Sequence, residues 1–240
     1  MKTSNSLSAL TTRQGQILQI TERKGFVTID GLADEFSVSA QTVRRDIIAL
    51  SKAGHLQRFH GGAGPVNGEE ALRLDHGRKQ QVGVEDKRKV AAQAAATIPE
   101  GASLYLDVGT TLEMTAQALK NHAGLTVFTN SMRAALSFER ADVTVHVLGG
   151  RRAGQDGSLV GENIVTTLLD LRIDYALLSC SAVEESGRVM DFDLGKIAVK
   201  KAAMRAADTS CLLLTPSKFH RSALAAIARI DAFDHVFDGQ

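Results

Sequence analysis

The sequence is poor in cysteine and has no long apolar run. Its cysteines, Cys180 and Cys211, lie far apart in apolar surroundings without metal-like spacing, which predicts buried, reduced thiols and argues against a metal site. No apolar stretch approaches the roughly 18 residues of a membrane span, and the polar start lacks the apolar core of a signal peptide. We therefore expect a cytoplasmic protein that has no membrane contact, metal or cofactor.

Net charge is also nearly absent, at +1 over 240 residues. It is unevenly distributed, because residues 1–62 hold eight basic and five acidic side chains, a net charge of +3, whereas the remainder carries −2. The near-neutral total argues against nonspecific coating of DNA, but the N-terminal bias is compatible with a small module that faces nucleic acid. With 44% hydrophobic residues, the chain can bury one sizeable core and a second small one, so we expect two domains.

Three short helices are predicted near the N-terminus. An amphipathic pattern predicts the first over residues 12–24, while Thr28 and Ser39 are suitable N-caps for a second and a third, the last ending at Gly54. The stretch "HLQRFHGGAG" that follows is typical of a short β-ribbon closed by glycines. Helices joined by a tight turn and followed by a ribbon predict a winged helix-turn-helix.

In that motif, the N-terminal half of the last helix enters the major groove of DNA. Gln41, Thr42, Arg44 and Arg45 would then point outward. Arginine suits guanine edges and phosphates, because its planar fork donates two parallel hydrogen bonds. The alternative is that the two arginines beside Asp46 are only the solvated face of a surface helix. The turn, the cap and the basic ribbon together favour DNA binding.

The rest of the chain has a different pattern. Residues 63–85 are polar and contain glycine, which predicts a linker between a domain at 1–62 and a second domain at 86–240. In the second domain, nearly continuous apolar strands alternate with helices, which favours a mainly parallel α/β sheet covered on both faces. The helices are predicted near residues 112–120, 132–140, 163–171 and 197–207.

Folds of this kind bind ligands beyond the carboxyl ends of their strands. Gly109, Thr110 and Thr111 follow a predicted strand and open a helix, where backbone N–H groups and hydroxyls can hold an anion such as phosphate. Arg151 and Lys218 follow two other strands and would add positive charge. Each feature alone could be a helix cap or a solvated charge, but together they favour an anion site.

Motifs along nearly the whole chain resemble those of the DeoR family of bacterial transcription regulators. They are "FVTIDGLADEFSVSAQTVRRDIIALSKAGHLQRFHGGAG" in the first domain and "LYLDVGTT", "LTVFTNS", "VLGG", "GSLVGE" and "PSKF" in the second. The resemblance implies a winged helix-turn-helix joined to a sugar-phosphate-sensing domain similar to the ribose-5-phosphate isomerase fold. It also implies a repressor of a carbohydrate-catabolic operon, dimeric or tetrameric, that a phosphorylated sugar or sugar acid releases from double-stranded operator DNA. Within the family, the chain most resembles the glycerol-3-phosphate and the sulfosugar regulators, and its motifs do not distinguish between these two.

The resemblance and the patterns above give two sets of site residues. The predicted DNA-binding residues are Ser39, Gln41, Thr42, Arg44, Arg45, Arg58 and His60. The predicted effector-binding residues are Asp107, Gly109, Thr110, Thr111, Asn130, Ser131, Arg151, Lys196 and Lys218. No catalytic residue and no metal ligand is predicted.

The chain departs from the family pattern at a few of these places. The family usually has an aspartate where Thr215 and Pro216 precede "SKF", and it often has an acid near Lys196. Fewer carboxylates and an added lysine suggest an effector with more negative charge than a simple monophosphate, such as a sugar-acid phosphate, a bisphosphate or a sulfonated sugar phosphate. The alternative is that Lys196 is solvated and that Thr215 has no effect.

Two other functions remain open at this stage. A sugar-phosphate isomerase would need a positioned base, for which Asp107 is the obvious candidate, although it could as easily bind a sugar hydroxyl. A transcriptional activator would use the same two modules as a repressor. In either kind of regulator, one small winged module buries too little surface for tight specific binding, so we expect at least a dimer on paired half-sites.

Overall fold

The computed structural model describes residues 10–24, 26–59, 61–65, 76–154 and 156–240, and the chain divides into two compact units between residues 73 and 74. The elements of the N-terminal unit are α1 (Thr12–Lys24), β1 (Val27–Thr28), α2 (Ile29–Phe36), α3 (Ala40–Lys52), β2 (Leu56–Phe59) and β3 (Gly62–Pro65). The strands form an antiparallel sheet in the order β1-β3-β2. Apolar side chains of the three helices, such as Ile17, Leu32 and Val43, form one buried core with the sheet. The predicted winged helix-turn-helix is confirmed.

Local capping chemistry sets the helix boundaries of this unit. The Thr28 side chain accepts a hydrogen bond from the Gly31 N–H at 3.0 Å and starts α2, and the Ser39 side chain accepts one from the Thr42 N–H at 3.2 Å and starts α3. Between them, Ser37 adopts a left-handed conformation with φ 52°, which ends α2. Both predicted caps are therefore confirmed.

The C-terminal unit is built on a six-stranded, all-parallel sheet. Its helices are α4 (His76–Gln81), α5 (Val84–Ala96), α6 (Thr110–Leu119), α7 (Met132–Ala135), α8 (Glu162–Leu169) and α9 (Leu194–Ala206). Its strands are β4 (Ser103–Leu106), β5 (Thr126–Thr129), β6 (Thr144–Val147), β7 (Arg151–Ala153), β8 (Ser158–Val160), β9 (Ile173–Ser179), β10 (Ala182–Val183), β11 (Arg188–Asp191), β12 (Ala207–Leu213), β13 (Ala225–Arg229) and β14 (His235–Phe237).

The strand order of the parallel sheet is β14-β12-β9-β4-β5-β6. Strands β4, β5 and β6 follow one another from the middle of the sheet to one edge, and β9, β12 and β14 follow one another from the middle to the other edge. Helices cover both faces, with one buried cluster containing residues of α5 and α6 and another containing residues of α8 and α9. Sheets of this order bind ligands in a crevice beyond the carboxyl ends of the two strands where the direction reverses, which here are β4 and β9.

Smaller sheets complete the unit. Strands β7 and β8 form an antiparallel hairpin, and β10, β11 and β13 form an antiparallel sheet. The hairpin is hydrogen-bonded to the chain that follows β5. The Leu159 N–H donates to the Asn130 carbonyl at 2.8 Å, and the Met132 N–H donates to the Gly157 carbonyl at 3.1 Å. These contacts bring the hairpin to the carboxyl edge of the parallel sheet.

Two helix boundaries differ from the sequence prediction by three residues or more. The helix predicted over 132–140 ends at Ala135, because the chain tightens into turns and Phe138 packs against the α5–α6 core. The helix predicted to start near residue 197 begins at Leu194, because the Asp193 side chain caps it by accepting from the Lys196 N–H at 3.0 Å.

The segment 63–85, predicted as a linker, contains ordered elements at both ends. Strand β3 extends through Pro65, and α4 and the start of α5 occupy the part from His76 onward. The predicted domain boundaries at 62/63 and 85/86 stay a prediction.

Candidate DNA-binding and effector sites

Helix α3 separates its polar and apolar residues onto two faces. Val43, Ile47 and Leu50 are buried, whereas Arg44 and Arg45 are exposed. This follows from the helical repeat, which brings residues three and four positions apart onto one face.

Asp46, next to the two arginines in sequence, faces away from them. It is buried, and its carboxylate accepts from Arg13 Nε at 2.6 Å and from Gln14 Nε2 at 3.2 Å. Asp46 therefore ties α1 to α3, and within the described residues no ion pair holds Arg44 or Arg45. Both arginines lie on the exposed face of α3, which is compatible with DNA binding and with the alternative of a solvated helix face.

The remaining predicted DNA-binding residues differ in their environments. Ser39 is used as the cap of α3, and its Oγ lies 2.9 Å from Thr42 Oγ1. Gln41 is exposed on the first turn of α3, and Arg58 is exposed on β2 in the wing. His60 lies outside the described residues. The structure thus places Gln41 on the same helix as the two free arginines.

The candidate effector site lies where β4 and β9 end side by side. The Ser179 N–H donates to Asp107 Oδ2 at 3.1 Å, and Ser179 Oγ donates to the Val108 carbonyl at 3.1 Å. Gly109 has φ 126° and ψ 160°, a conformation essentially restricted to glycine, and a Cβ there would lie 3.3 Å from Ser179 Oγ. Glycine therefore lets the loop after β4 lie against the end of β9.

This loop leads directly into α6, whose first turn is open. No described side chain caps the helix, so the N–H groups of its first turn are available at its positive end. The Thr110 side chain is 8% exposed, and its hydroxyl has no hydrogen-bond partner among the described residues. Thr111 follows it, half-buried. Uncapped amides next to a free hydroxyl form a suitable cradle for a phosphate group.

A buried ion cluster lies at the carboxyl ends of β4 and β9. Lys200, on α9, is 1% exposed; its Nζ bonds to Asp107 Oδ2 and donates to the Ser179 carbonyl at 2.9 Å. Asp191 Oδ2 lies 3.7 Å from the same Nζ. Burial alone would lower the pKa of Lys200, but the charges of Asp107 and Asp191 outweigh it and raise the pKa. The ends of β4 and β9 therefore hold a buried ammonium group between two carboxylates.

Sequence reasoning missed Lys200, although a signal for it exists. Ile197, Lys200 and Ala203 are spaced at helical intervals, and the first and last of them are buried. A lysine in the middle of an apolar stripe indicates a buried charge with a partner elsewhere in the fold. The neighbouring Lys201 is exposed, so the stripe separates the two lysines.

Asn130 and Ser131 come close to this site, but their polar groups already have partners. Asn130, 1% exposed, accepts from the Tyr105 hydroxyl at 2.7 Å and donates to the Leu159 carbonyl at 2.7 Å. Ser131 is buried and caps α7 by accepting from the Ala134 N–H at 3.1 Å. Both side chains therefore stabilise the loop after β5.

Tyr105 links this loop to the ion cluster. Its hydroxyl lies 3.5 Å from Asp107 Oδ1 and 2.7 Å from Asn130 Oδ1. Burial and the nearby Asp107 charge raise the pKa of Tyr105 well above its usual range, so the hydroxyl stays a donor at neutral pH. The carboxylate of Asp107 is thus held from several directions.

The predicted cations lie on three different segments. Lys218 is in a 3-10 turn after β12, close enough to Cys180 for its charge to act on that thiol, although burial dominates and raises the pKa of Cys180 to about 12. Lys196, on α9, forms an ion pair with Asp156 at 2.5 Å. Arg151 is exposed on β7, and no described hydrogen bond or ion pair joins it to the other predicted effector residues. Only Lys218 is thus a cation near the end of β9 without a described carboxylate partner.

None of the helices in the described ranges is long and apolar enough to cross a membrane. The same ranges hold no group of three or more His, Cys, Asp or Glu side chains arranged to hold a metal ion.

Comparison with known families matches both units. Residues 13–68 match the DeoR-like helix-turn-helix domain, and residues 83–240 match the DeoR C terminal sensor domain. The chain belongs to the DeoR family. The family predicted from the motifs is confirmed.

Relatives in this family are named as transcriptional repressors. The chain is 32% identical over 228 residues to the glycerol-3-phosphate regulon repressor of Haemophilus influenzae, which covers 95% of this chain and 88% of that protein. It is 35% identical over 228 residues to the HTH-type transcriptional repressor CsqR of Escherichia coli, covering 94% and 87%. The lactose phosphotransferase system repressor of Staphylococcus aureus is 28% identical over 222 residues, covering 91% and 88%. These relatives make the chain a regulator and not an enzyme.

Solved structures resemble the chain more distantly. Ribose 5-phosphate isomerase A from Methanocaldococcus jannaschii is 18% identical with a TM-score of 0.42, covering 57% of this chain and 54% of that chain. The translation initiation factor eIF-2B from Pyrococcus horikoshii is 13% identical with a TM-score of 0.47, covering 95% and 86%. These similarities are too low to bear on function.

Proposed function

We propose that the protein represses a carbohydrate-catabolic operon and leaves its operator DNA when a phosphorylated sugar binds between β4 and β9. The observation that carries the proposal is the first turn of α6, where no described residue caps the helix or bonds the Thr110 hydroxyl, shortly after Asp107 and its buried ion-pair partner Lys200. Relatives named as repressors of a glycerol-3-phosphate regulon and of a lactose phosphotransferase system support it. Such a regulator works in the cytoplasm, where its DNA is.

The phosphate of the effector would bind at the start of α6. The backbone N–H groups of Thr110 and Thr111 and the Thr110 hydroxyl would donate to its oxygens, and Lys218 would add positive charge from the neighbouring turn. This assigns the phosphate to polar groups that have no other described partner.

The sugar hydroxyls would bind deeper, at Asp107. Its carboxylate is oriented by Ser179 and by Lys200, so it can accept from a hydroxyl without reorganising. Asn130 and Ser131 would shape this part of the crevice, because most of their hydrogen-bonding capacity is used within the protein. Arg151 would act at the entrance as an exposed charge.

DNA would be read by α3 and the wing. The exposed Gln41, Arg44 and Arg45 would contact base edges and phosphates in the major groove, with Thr42 at the same helix end, while Arg58 and His60 of the wing would contact the backbone. Ser39 would support these contacts by holding the start of α3. We infer a dimer or a larger assembly, because one winged module buries too little surface for tight specific binding.

Control of transcription would follow from linked binding equilibria. An effector that binds the DNA-free form 100-fold more tightly than the DNA-bound form weakens operator binding by about 2.7 kcal/mol. A 100-fold loss of affinity releases most of the protein from an operator that it occupied at a concentration moderately above its Kd.

The sign of regulation is tested with a reporter gene under the promoter upstream of the protein's own gene. Deleting the gene should raise reporter expression, and restoring the wild-type gene should lower it again. Restoring an Arg44→Ala, Arg45→Ala double variant should leave expression high. Lower expression after deletion would mean activation and would contradict the proposal.

A further inference from the structure

Helix α9 presents two lysines to the effector crevice at different depths. Lys196 and Lys200 are four residues apart, so they share one face of the helix and are about 6 Å apart along its axis. Lys200 reaches Asp107 and Ser179 at the base of the crevice. Because α9 ends at Ala206, where β12 starts, its N-terminal turn lies towards the carboxyl edge of the sheet. Lys196 is therefore the lysine nearer to the entrance.

Lys196 meets a carboxylate from the β7–β8 hairpin. Asp156 lies in the turn of the β7–β8 hairpin, where its Oδ1 accepts from Ser158 Oγ at 2.6 Å and from the Ser158 N–H at 3.2 Å. Its Oδ2 accepts from Lys196 Nζ at 2.5 Å. The turn itself thus fixes Asp156 in position to receive Lys196.

The pair joins the β7–β8 hairpin to α9 with no net charge. The hairpin is hydrogen-bonded to the chain after β5, whereas α9 packs beside β9 and β12, and β4 lies between β5 and β9. The side chains of Lys196 and Asp156 are 15% and 21% exposed, which is too little for a fully solvated lysine. Lys196 is therefore neither fully solvated nor without a compensating carboxylate.

We propose that Asp156 determines effector specificity by cancelling the charge of Lys196, so that the site accepts a phosphorylated neutral sugar and disfavours one with a second anionic group. This inference rests on the proposed function. A carboxylate or second phosphate near Lys196 would also approach Asp156, and the repulsion would offset the attraction. The more anionic effector suggested by the sequence would require Lys196 to be unpaired.

The test compares effectors that differ by one anionic group. Calorimetry with the full chain would measure glucose 6-phosphate against 6-phosphogluconate, and glycerol 3-phosphate against 3-phosphoglycerate. For the pair that binds to the wild type, we expect the Kd of the phosphorylated neutral compound to be at least 10-fold lower than the Kd of its acidic counterpart. In Asp156→Asn, which keeps an oxygen for Ser158 but removes the charge, that preference should fall at least 10-fold.

Two further variants separate charge from structural effects. The double variant Asp156→Asn, Lys196→Gln removes both charges and should return the preference to the wild-type value. Asp142→Asn, which breaks the exposed Arg140–Asp142 pair, should leave it unchanged. A wild type that prefers the acidic members, or a preference that is the same in Asp156→Asn, overturns the inference and leaves the proposed function intact. Failure of all four compounds to bind both the wild type and Asp156→Asn overturns the inference and the proposed function together.

Discussion

Lys200, Asp107 and Asp191 form a buried ion cluster, so removing the charge of one member alone should lower the free energy of unfolding. Replacing Lys200 by Met leaves Asp107 and Asp191 buried without their ammonium partner. Breaking a buried ion pair in this way typically costs about 3 to 5 kcal/mol. We expect Lys200→Met to lower the free energy of unfolding by an amount in this range, measured by urea denaturation. Lys201→Met, at the exposed neighbouring position, should change it by less than about 0.5 kcal/mol, and equal effects of the two variants would contradict the buried cluster.

The Lys196–Asp156 pair should also leave a signature in the pH dependence of stability. Partial burial alone would raise the pKa of Asp156, but Lys196 and the Ser158 hydrogen bonds outweigh it and lower the pKa below its usual value. A lowered folded-state pKa stabilises the protein at neutral pH, and this contribution disappears as the pH falls below about 4. The stability difference between wild type and Asp156→Asn should therefore shrink between pH 7 and pH 3. A difference that stays constant over this range would show that the charge of Asp156 contributes nothing.

Arg44 and Arg45 are the side chains on which sequence-specific DNA binding should depend. Replacing either by Ala should cost about 1 to 3 kcal/mol of operator affinity if it reads a base edge. A phosphate contact would instead weaken operator and scrambled DNA equally and reduce the salt dependence of binding. Fluorescence anisotropy on both DNAs at several salt concentrations separates these roles, with Lys52→Ala at the far end of α3 as control. Unchanged affinity in both arginine variants would refute the assignment of α3 as the reading helix.

Single side chains were predictable where their role is local. The caps Thr28 and Ser39 depend only on the next few residues, so the sequence was sufficient for them. The partners of Asp46 and Lys200 come from other elements, 33 positions away for Arg13 and 93 for Asp107, and only the fold brings them together. The same holds for Lys196, whose partner Asp156 is 40 positions away.

The loop from β4 into α6 depends on the backbone conformation of Gly109. An alanine there would have to adopt a conformation that costs about 1 to 3 kcal/mol, and its Cβ would press on Ser179 Oγ. We expect Gly109→Ala to weaken binding of phosphorylated sugars at least 10-fold by calorimetry and to leave DNA binding intact. Gly149→Ala, where a Cβ meets open space, is the matched control. Normal effector affinity in Gly109→Ala would place the phosphate elsewhere.

Whole helices and strands were predictable to the extent that their periodicity is regular. The helices of the N-terminal unit and the apolar strands of the parallel sheet follow from residue patterns and caps. The early end of α7 does not, because Phe138 leaves the helix to fill a core formed by distant residues. The β7–β8 hairpin is too short to give a periodic signal, although it supplies Asp156.

The architecture of the C-terminal unit connects these parts. The alternation of apolar strands with helices predicts a parallel sheet, but the order β14-β12-β9-β4-β5-β6 depends on pairings between strands far apart in the chain. That order places β4 beside β9 and thereby joins Asp107, Ser179 and the start of α6 in one crevice. Many residues at this edge were therefore predictable from the sequence. The strand pairing that joins them into one site was not.

The central claim is that a phosphorylated sugar bound in this crevice releases the protein from its operator. The most direct measurement is fluorescence anisotropy of the full chain on DNA from upstream of its own gene, titrated with phosphorylated neutral sugars. We predict sequence-specific binding that one such compound weakens about 100-fold, the size of a strong allosteric coupling, and that release of Gly109→Ala requires at least 10-fold more of the same compound. Tight binding that no compound changes, or release that persists undiminished in Gly109→Ala, would contradict the account.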